Sequence, residues 1–185
     1  MATGELRRDT RRILVYGVTG SGKTTLAERL SDITGIEWHS VDELTWEPGW
    51  VPVPVEEQRR RIKAICARPE WILDTAYGDW LDIPLPRAEV IVALDYPRWF
   101  SLQRLLRRTI VRWADQRTIC NGNRETLRVI LARDSIIVWH FTSFRRKRDR
   151  IRRWCDDPSG PRVVRLTSAR RTDAWLAEIP QLAND

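Results

Sequence analysis

The chain has 185 residues, of which 42% are hydrophobic and 31% charged, and a net charge of +7. That length suits one domain with a sizeable core, and that balance excludes a disordered chain. No apolar run approaches the ~20 residues that span a bilayer, so no membrane association is expected.

In chain order, Arg12 to Val18 reads as a buried strand running into a glycine-rich turn. Lys23 to Thr34 follows as a helix closed by Gly35. Glu37 to Val41 is a short second strand that ends at Asp42, and the Trp- and Pro-rich stretch from Trp46 to Pro54 is expected to be irregular. Val55 to Ala67 is a helix with acids in its first turn, which suits the helix dipole. Trp71 to Asp74 and Glu89 to Asp95 are further strands, the latter stopped by Pro97. Trp99 to Trp113 is a basic amphipathic helix, and helical patterns resume from Glu125 to Trp154 in more than one piece. Pro158-Ser159-Gly160-Pro161 breaks the chain before a fifth strand, Arg162 to Leu166, and a closing helix, Thr172 to Ile179. Short apolar strands alternating with helices predict an α/β fold built on a parallel sheet covered on both faces. Ligands of such sheets sit at the carboxyl ends of the strands.

The segment Gly17-Val18-Thr19-Gly20-Ser21-Gly22-Lys23-Thr24 matches G-x-x-x-x-G-K-[ST] between a strand and a helix. Its glycines let the backbone wrap a polyphosphate, and the helix start adds its positive end. ATP is therefore the expected cofactor, held by Gly17, Thr19, Gly20, Ser21, Gly22, Lys23, Thr24 and Thr25. Lys23 would bridge the β- and γ-phosphates, and the Thr24 hydroxyl would ligate Mg²⁺. Asp42, Asp74 and Asp95 each end an expected strand near this loop. One could hold the metal or its waters, and another could take the proton of an attacking hydroxyl.

Cys66, Cys120 and Cys155 lie too far apart for a zinc pattern or a disulfide framework and read as free thiols of a reducing cytoplasm. The stretch from Met1 to Arg12 carries four arginines with no apolar run behind them, so it is not expected to be a secretory leader. Between Arg98 and Arg153 stand sixteen Arg or Lys against four acids, a local +12 that leaves the remainder at −5. Such a block implies a polyanionic partner, either nucleotide phosphates or a nucleic-acid backbone. His39 and His140 have no second ligand at helical spacing and read as structural or solvated. Trp38, Trp46, Trp50, Trp71 and Trp80 either pack the core and loop base or offer a flat acceptor a stacking surface.

The motifs resemble those of adenylate-kinase-like P-loop kinases and, within them, the DNA topology modulation proteins. The resemblance runs from about Ile13 to Leu176. It rests on the phosphate loop, on Val41-Asp42-Glu43-Leu44-Thr45-Trp46 with Pro48-Gly49-Trp50, and on Trp71-Ile72-Leu73-Asp74. It continues through Leu94-Asp95-Tyr96-Pro97-Arg98, the basic helix Arg104 to Arg108, Cys120-Asn121-Gly122-Asn123-Arg124-Glu125, Phe144-Arg145-Arg146-Lys147-Arg148 and Val163-Val164-Arg165-Leu166. The resemblance implies one P-loop kinase domain over residues 1–185. It would have the three-layer P-loop NTPase fold of nucleoside monophosphate kinases, with a five-stranded parallel sheet and a helical lid at about 113–124. Arg104, Arg108, Arg117 and Arg124 occupy the regions of lid and hinge arginines that clamp the transferring phosphoryl group, with Arg133 a lesser candidate. Asp74 becomes the first candidate for the magnesium side, with Asp95 second. Adenylate kinases carry Asp-Gly-Phe-Pro-Arg where this chain has Asp74-Thr75-Ala76-Tyr77-Gly78, so the arginine that grips an acceptor nucleotide's phosphate is replaced by glycine.

The sequence thus points to an ATP- and Mg²⁺-dependent phosphotransferase with a small hydroxyl or phosphate acceptor. Lys23, Asp42, Asp74, Arg104, Arg108, Arg117 and Arg124 form the catalytic set, and Thr24, Asp74 and Asp95 the metal set. The second reading is a nucleic-acid-binding ATPase or regulator affecting DNA topology. The basic block favours it, but no DNA-reading motif accompanies that block.

Overall fold

A computed structural model describes residues 6–115, 118–119, 121, 123–124 and 136–179. Five parallel strands make the central sheet: β1 (Arg12–Gly17), β2 (Trp38–His39), β5 (Trp71–Leu73), β6 (Val90–Leu94) and β9 (Arg162–Leu166), in the order β2-β5-β1-β6-β9. In the registers, Leu14 stands between Leu73 and Ile91, and Val92 pairs with Val164. Parallel neighbours need crossovers, and helices supply them. These are α1 (Lys23–Thr34), α2 (Val41–Thr45), α3 (Val55–Cys66), α4 (Arg98–Ala114), α5 (Ile136–Asp156) and α6 (Ala169–Glu178). Among the described residues no helix is long and apolar enough to cross a membrane.

The alternation of side chains along β1 divides the core. Ile13 and Val15 face one layer with Leu26 and Leu30 of α1, Val92, Leu166, and Trp175 and Leu176 of α6. Leu14 and Tyr16 face the other with Ile62 and Ile65 of α3, Leu73, Trp80 and Ile151 of α5. Both faces of β1 are buried, which is why its sequence is a continuous apolar run rather than an alternating one. The chain leaves β1 toward β2 and β5 on one side and β6 on the other, so the sheet's switch point lies at the end of β1.

Three expectations change. The second strand stops at His39, and Asp42 lies in the first turn of α2 instead of at a strand end. Asp42 and Glu43 there complement the amide end of that helix. The Trp- and Pro-rich stretch is not irregular throughout, because β3 (Trp46–Glu47) and β4 (Val51–Pro52) pair as a short antiparallel hairpin. Its turn needs positive φ at Gly49 and Trp50, which the glycine supplies at the first position. The closing helix begins at Ala169 rather than Thr172, since Ser168 caps it by accepting from the Arg171 amide at 3.2 Å. Within the expected lid, β7 (Thr118–Ile119) pairs antiparallel with β8 (Asn123–Arg124).

Trp80 is fully buried, and its Nε1 donates to Gln58 Oε1 at 3.1 Å. Trp80→Ala should therefore cost ~3–5 kcal/mol in urea unfolding. Trp99→Ala, at a position 66% exposed, should stay within ~0.5 kcal/mol. Equal costs at the two positions would contradict this division of core and surface.

Candidate active site

The loop Gly17–Thr24 turns from the end of β1 into α1. Its glycines answer to specific neighbours. Gly20 has φ +79, and a Cβ there would overlap the Ser101 carbonyl and lie 2.9 Å from Leu105 Cβ, so α4 packs directly on the loop. Gly22, at φ 94, is the N-cap of α1, which has neither a side-chain cap nor an acid in its first turn. The amides of that turn are thus left facing the loop's own concavity, the arrangement that receives an anion. Ser21 is buried, its hydroxyl donating to Val18 O at 2.7 Å, and Lys23 Nζ donates to the same carbonyl at 3.1 Å.

Two of the three candidate aspartates gather beside this loop. Asp74 follows β5 and is buried. It accepts from the Thr24 hydroxyl at 2.7 Å and from the Val41 amide at 2.9 Å. Burial raises its pKa, with Asp42 adding to the rise, against the Val41 and Thr24 hydrogen bonds and the Lys23 charge. Asp42 accepts from the Tyr77 hydroxyl at 2.8 Å. Burial lowers the Lys23 pKa, opposed by Asp74 and then Asp42 and assisted by Arg108. These four charges therefore share one neighbourhood. Asp95 is directed elsewhere. Arg148 Nε lies 2.9 Å from its Oδ1, and Arg165 donates to its Oδ2 through Nε at 2.8 Å and through Nη2. Both of its oxygens are thus committed to guanidinium groups.

The arginines divide as well. Arg104 lies over Gly22, with Nη2 3.0 Å from the position a Cβ would take, and over the Phe100 ring at 5.6 Å. Arg108 acts on Lys23. The side chain of Arg124 and all of Arg117, Arg133 and Cys120 lie outside the described residues. Four contributors escaped sequence reasoning. His140 of α5 is buried, with Nδ1 3.1 Å from Thr19 O, so the tautomer carries its hydrogen on Nδ1 and donates to the loop. Burial lowers its pKa, which keeps the ring neutral. Asn121 Nδ2 donates to Glu43 O at 2.9 Å and Trp46 O at 2.7 Å, joining the β7–β8 hairpin to the end of α2. Tyr77 holds Asp42, and Lys147 of α5 is buried over Tyr16. Local sequence gives none of the four these partners, for each acts across a long separation. Of the tryptophans, Trp71 and Trp80 are core, Trp38 packs against the α1 layer, and Trp46 and Trp50 meet edge to face at 5.8 Å, half-buried beside α2.

No protein-family model and no curated protein matches the sequence. Solved structures do match the fold. A gluconokinase from Sinorhizobium meliloti is 19% identical with TM-score 0.53, over 92% of this chain and 94% of that one. A shikimate kinase from Acinetobacter baumannii in complex with shikimate is 15% identical with TM-score 0.55, over 92% and 91%. A shikimate kinase from Aquifex aeolicus is 16% identical with TM-score 0.52, over 90% and 92%. The chain has the α/β fold of such P-loop kinases, with five parallel strands and, among the described residues, six helices.

The packing of α4 on the loop separates two glycines of similar φ. Gly35→Ala, at φ +72 with nothing near its added carbon, should cost the ~1–2 kcal/mol of a left-handed residue. Gly20→Ala must add the clash with Ser101 and Leu105, and so should lose clearly more stability in denaturant titration. Equal losses would mean that α4 does not rest on the loop.

Proposed function

We propose that the chain is an ATP-dependent phosphotransferase that moves the γ-phosphoryl group of ATP to a hydroxyl of a small acceptor. The observation that carries this is the convergence of Lys23, Asp74 and Asp42 beside the loop. It supplies a phosphate cation, a metal-side carboxylate and a base within one charge neighbourhood. The gluconokinase and shikimate kinase neighbours support the small-acceptor class, and the sequence motifs resemble those of the DNA topology modulation proteins.

In this reading the amides from Gly17 to Thr25 cradle the phosphates. Lys23 exchanges the Val18 carbonyl for β- and γ-phosphate oxygens. Thr24 and Asp74 offer a hydroxyl and a carboxylate oxygen already 2.7 Å apart, a hard-donor pair that fits Mg²⁺. A bound Mg²⁺ would supply positive charge against the phosphate oxygens. Asp95, committed to two arginines, takes no part in that pair. Asp42, held by Tyr77, accepts the proton of the acceptor hydroxyl as its oxygen bonds to phosphorus and the bond to ADP breaks. Arg104 and Arg108, with Arg117 and Arg124 of the 113–124 lid, stabilise the spreading phosphoryl charge. The hydrogen bonds of Asn121 to α2 and β3 suit a lid that closes over the acceptor.

The nucleic-acid reading is weaker. Of Arg145, Arg146, Lys147 and Arg148, the lysine is buried and Arg148 pairs with Asp95, leaving two of the four for a polyanion outside.

Lys23→Ala should keep the wild-type circular dichroism and lose nearly all ATP turnover. Asp42→Asn should lower kcat by ~10²–10⁴ while the KM for ATP moves little, because the proton acceptor acts in the chemical step. Full turnover in Lys23→Ala would refute the assignment. Tight DNA binding at physiological salt, lost when Arg145 and Arg146 are neutralised, would favour the nucleic-acid reading instead.

A further inference from the structure

Lys147 is a buried ammonium that the mechanism above does not use. It is 6% exposed, projects from α5, and lies 5.9 Å from the centroid of the Tyr16 ring. It has no hydrogen bond or ion pair among the described residues, whereas its neighbour Arg148 has Asp95. Burial pushes its pKa down to about 7, and Lys23 adds repulsion that Asp42 only partly offsets. An unpaired buried cation is costly, and a chain that needed only packing there would be served better by an apolar side chain. Among the described residues only Asp42 offsets that cost, and only in part, so an anion brought by a ligand would stabilise the charged form.

The surroundings say which anion. Tyr16 belongs to the core layer of α3, Val41, Trp80 and Ile151, the face of the sheet that also carries Tyr77. On that face Tyr77 holds Asp42, the residue given to the acceptor hydroxyl. Arg150, one turn along α5, donates to the Tyr16 hydroxyl at 3.2 Å. Lys23 and Asp42 are the two charges that act most on Lys147, and the triphosphate is already claimed by Lys23 and the α1 amides, which leaves Lys147 to an anion on the Asp42 side. We propose that Lys147 is the ligand of an anionic group on the acceptor, so that the substrate is a hydroxyl compound bearing a carboxylate or a phosphate monoester, not a neutral polyol or nucleoside. The inference rests on the kinase reading for the word acceptor, but the anion subsite itself is measurable without nucleotide.

The test is calorimetric titration of the wild type and Lys147→Met, first without nucleotide and then with saturating Mg-ADP. The probes are gluconate and shikimate as carboxylates, glycerol 3-phosphate and AMP as phosphates, and glycerol, sorbitol and adenosine as neutral compounds. At least one anionic probe should bind the wild type and weaken thirtyfold or more in Lys147→Met, with Mg-ADP affinity changed less than threefold. Which of the two anionic arms responds names the group. Without ligand, Lys147→Met should melt at or above the wild-type temperature, since it removes an unpaired charge from a buried place. A lower melting temperature would make Lys147 structural and overturn the proposal. So would neutral probes binding as tightly as anionic ones, no anionic probe binding at all, or a loss confined to Mg-ADP. Failure of Mg-ADP to bind the wild type would instead sink the kinase reading, and the nucleotide-free titration would still decide the subsite.

Discussion

The buried carboxylate of Asp74 is the constraint on which the site depends. A carboxylate inside a protein must be hydrogen-bonded or it will not stay charged. Its partners here are the Thr24 hydroxyl at the start of α1 and the Val41 amide at the start of α2. One side chain therefore fixes the ends of β5, α1 and α2 against each other. The phosphate loop cannot shift without Thr24, and α2 cannot shift without Val41. Asp42 follows Val41 directly, so the position of the proposed base is set by the same carboxylate that holds Thr24.

A second buried carboxylate does the equivalent work on the other side of β1. Asp95, at the end of β6, binds Arg148 of α5 and Arg165 of β9. That pairing holds α5 across the sheet. From there His140 reaches the Thr19 carbonyl, Arg150 reaches the Tyr16 hydroxyl, and Lys147 lies over the Tyr16 ring. The sequence leaves open which of the three aspartates serves the metal and which takes the proton. The structure distributes them: Asp74 bonds to Thr24 of the loop, Asp42 to the Tyr77 hydroxyl, and Asp95 to Arg148 and Arg165. The +12 block divides in the same way, since a guanidinium that neutralises Asp95 is not available to a nucleic acid.

Legibility in the sequence followed the range of the interactions. α1 runs from Lys23 to Thr34 and β9 from Arg162 to Leu166, the limits that local punctuation predicts. Gly22 and Gly35 bound the first through their left-handed conformations, and Pro161 leads into the second. The phosphate loop was legible because one short segment makes the whole cradle. The tilt of Asp42 into α2 was not, because it depends on the Val41 amide finding Asp74, 33 residues away. The His140 contact spans 121 residues, and a lone histidine between aromatic neighbours gives no sign of it. The Trp46–Pro52 hairpin was missed because Pro and Gly at high density usually mark irregular chain, whereas here Gly49 makes the turn that pairs the strands.

The central claim is that Thr24 and Asp74 act as one unit on the metal side of the phosphates. A double-mutant cycle on the Mg²⁺ dependence of ATP turnover tests it most directly, using Thr24→Val, Asp74→Asn and the pair together. If the two oxygens serve one ion, each single variant raises the half-saturating Mg²⁺ concentration tenfold or more, and the double variant is no worse than the more severe single one. Independent, additive effects, or Mg²⁺ saturation unchanged in Asp74→Asn, would contradict it.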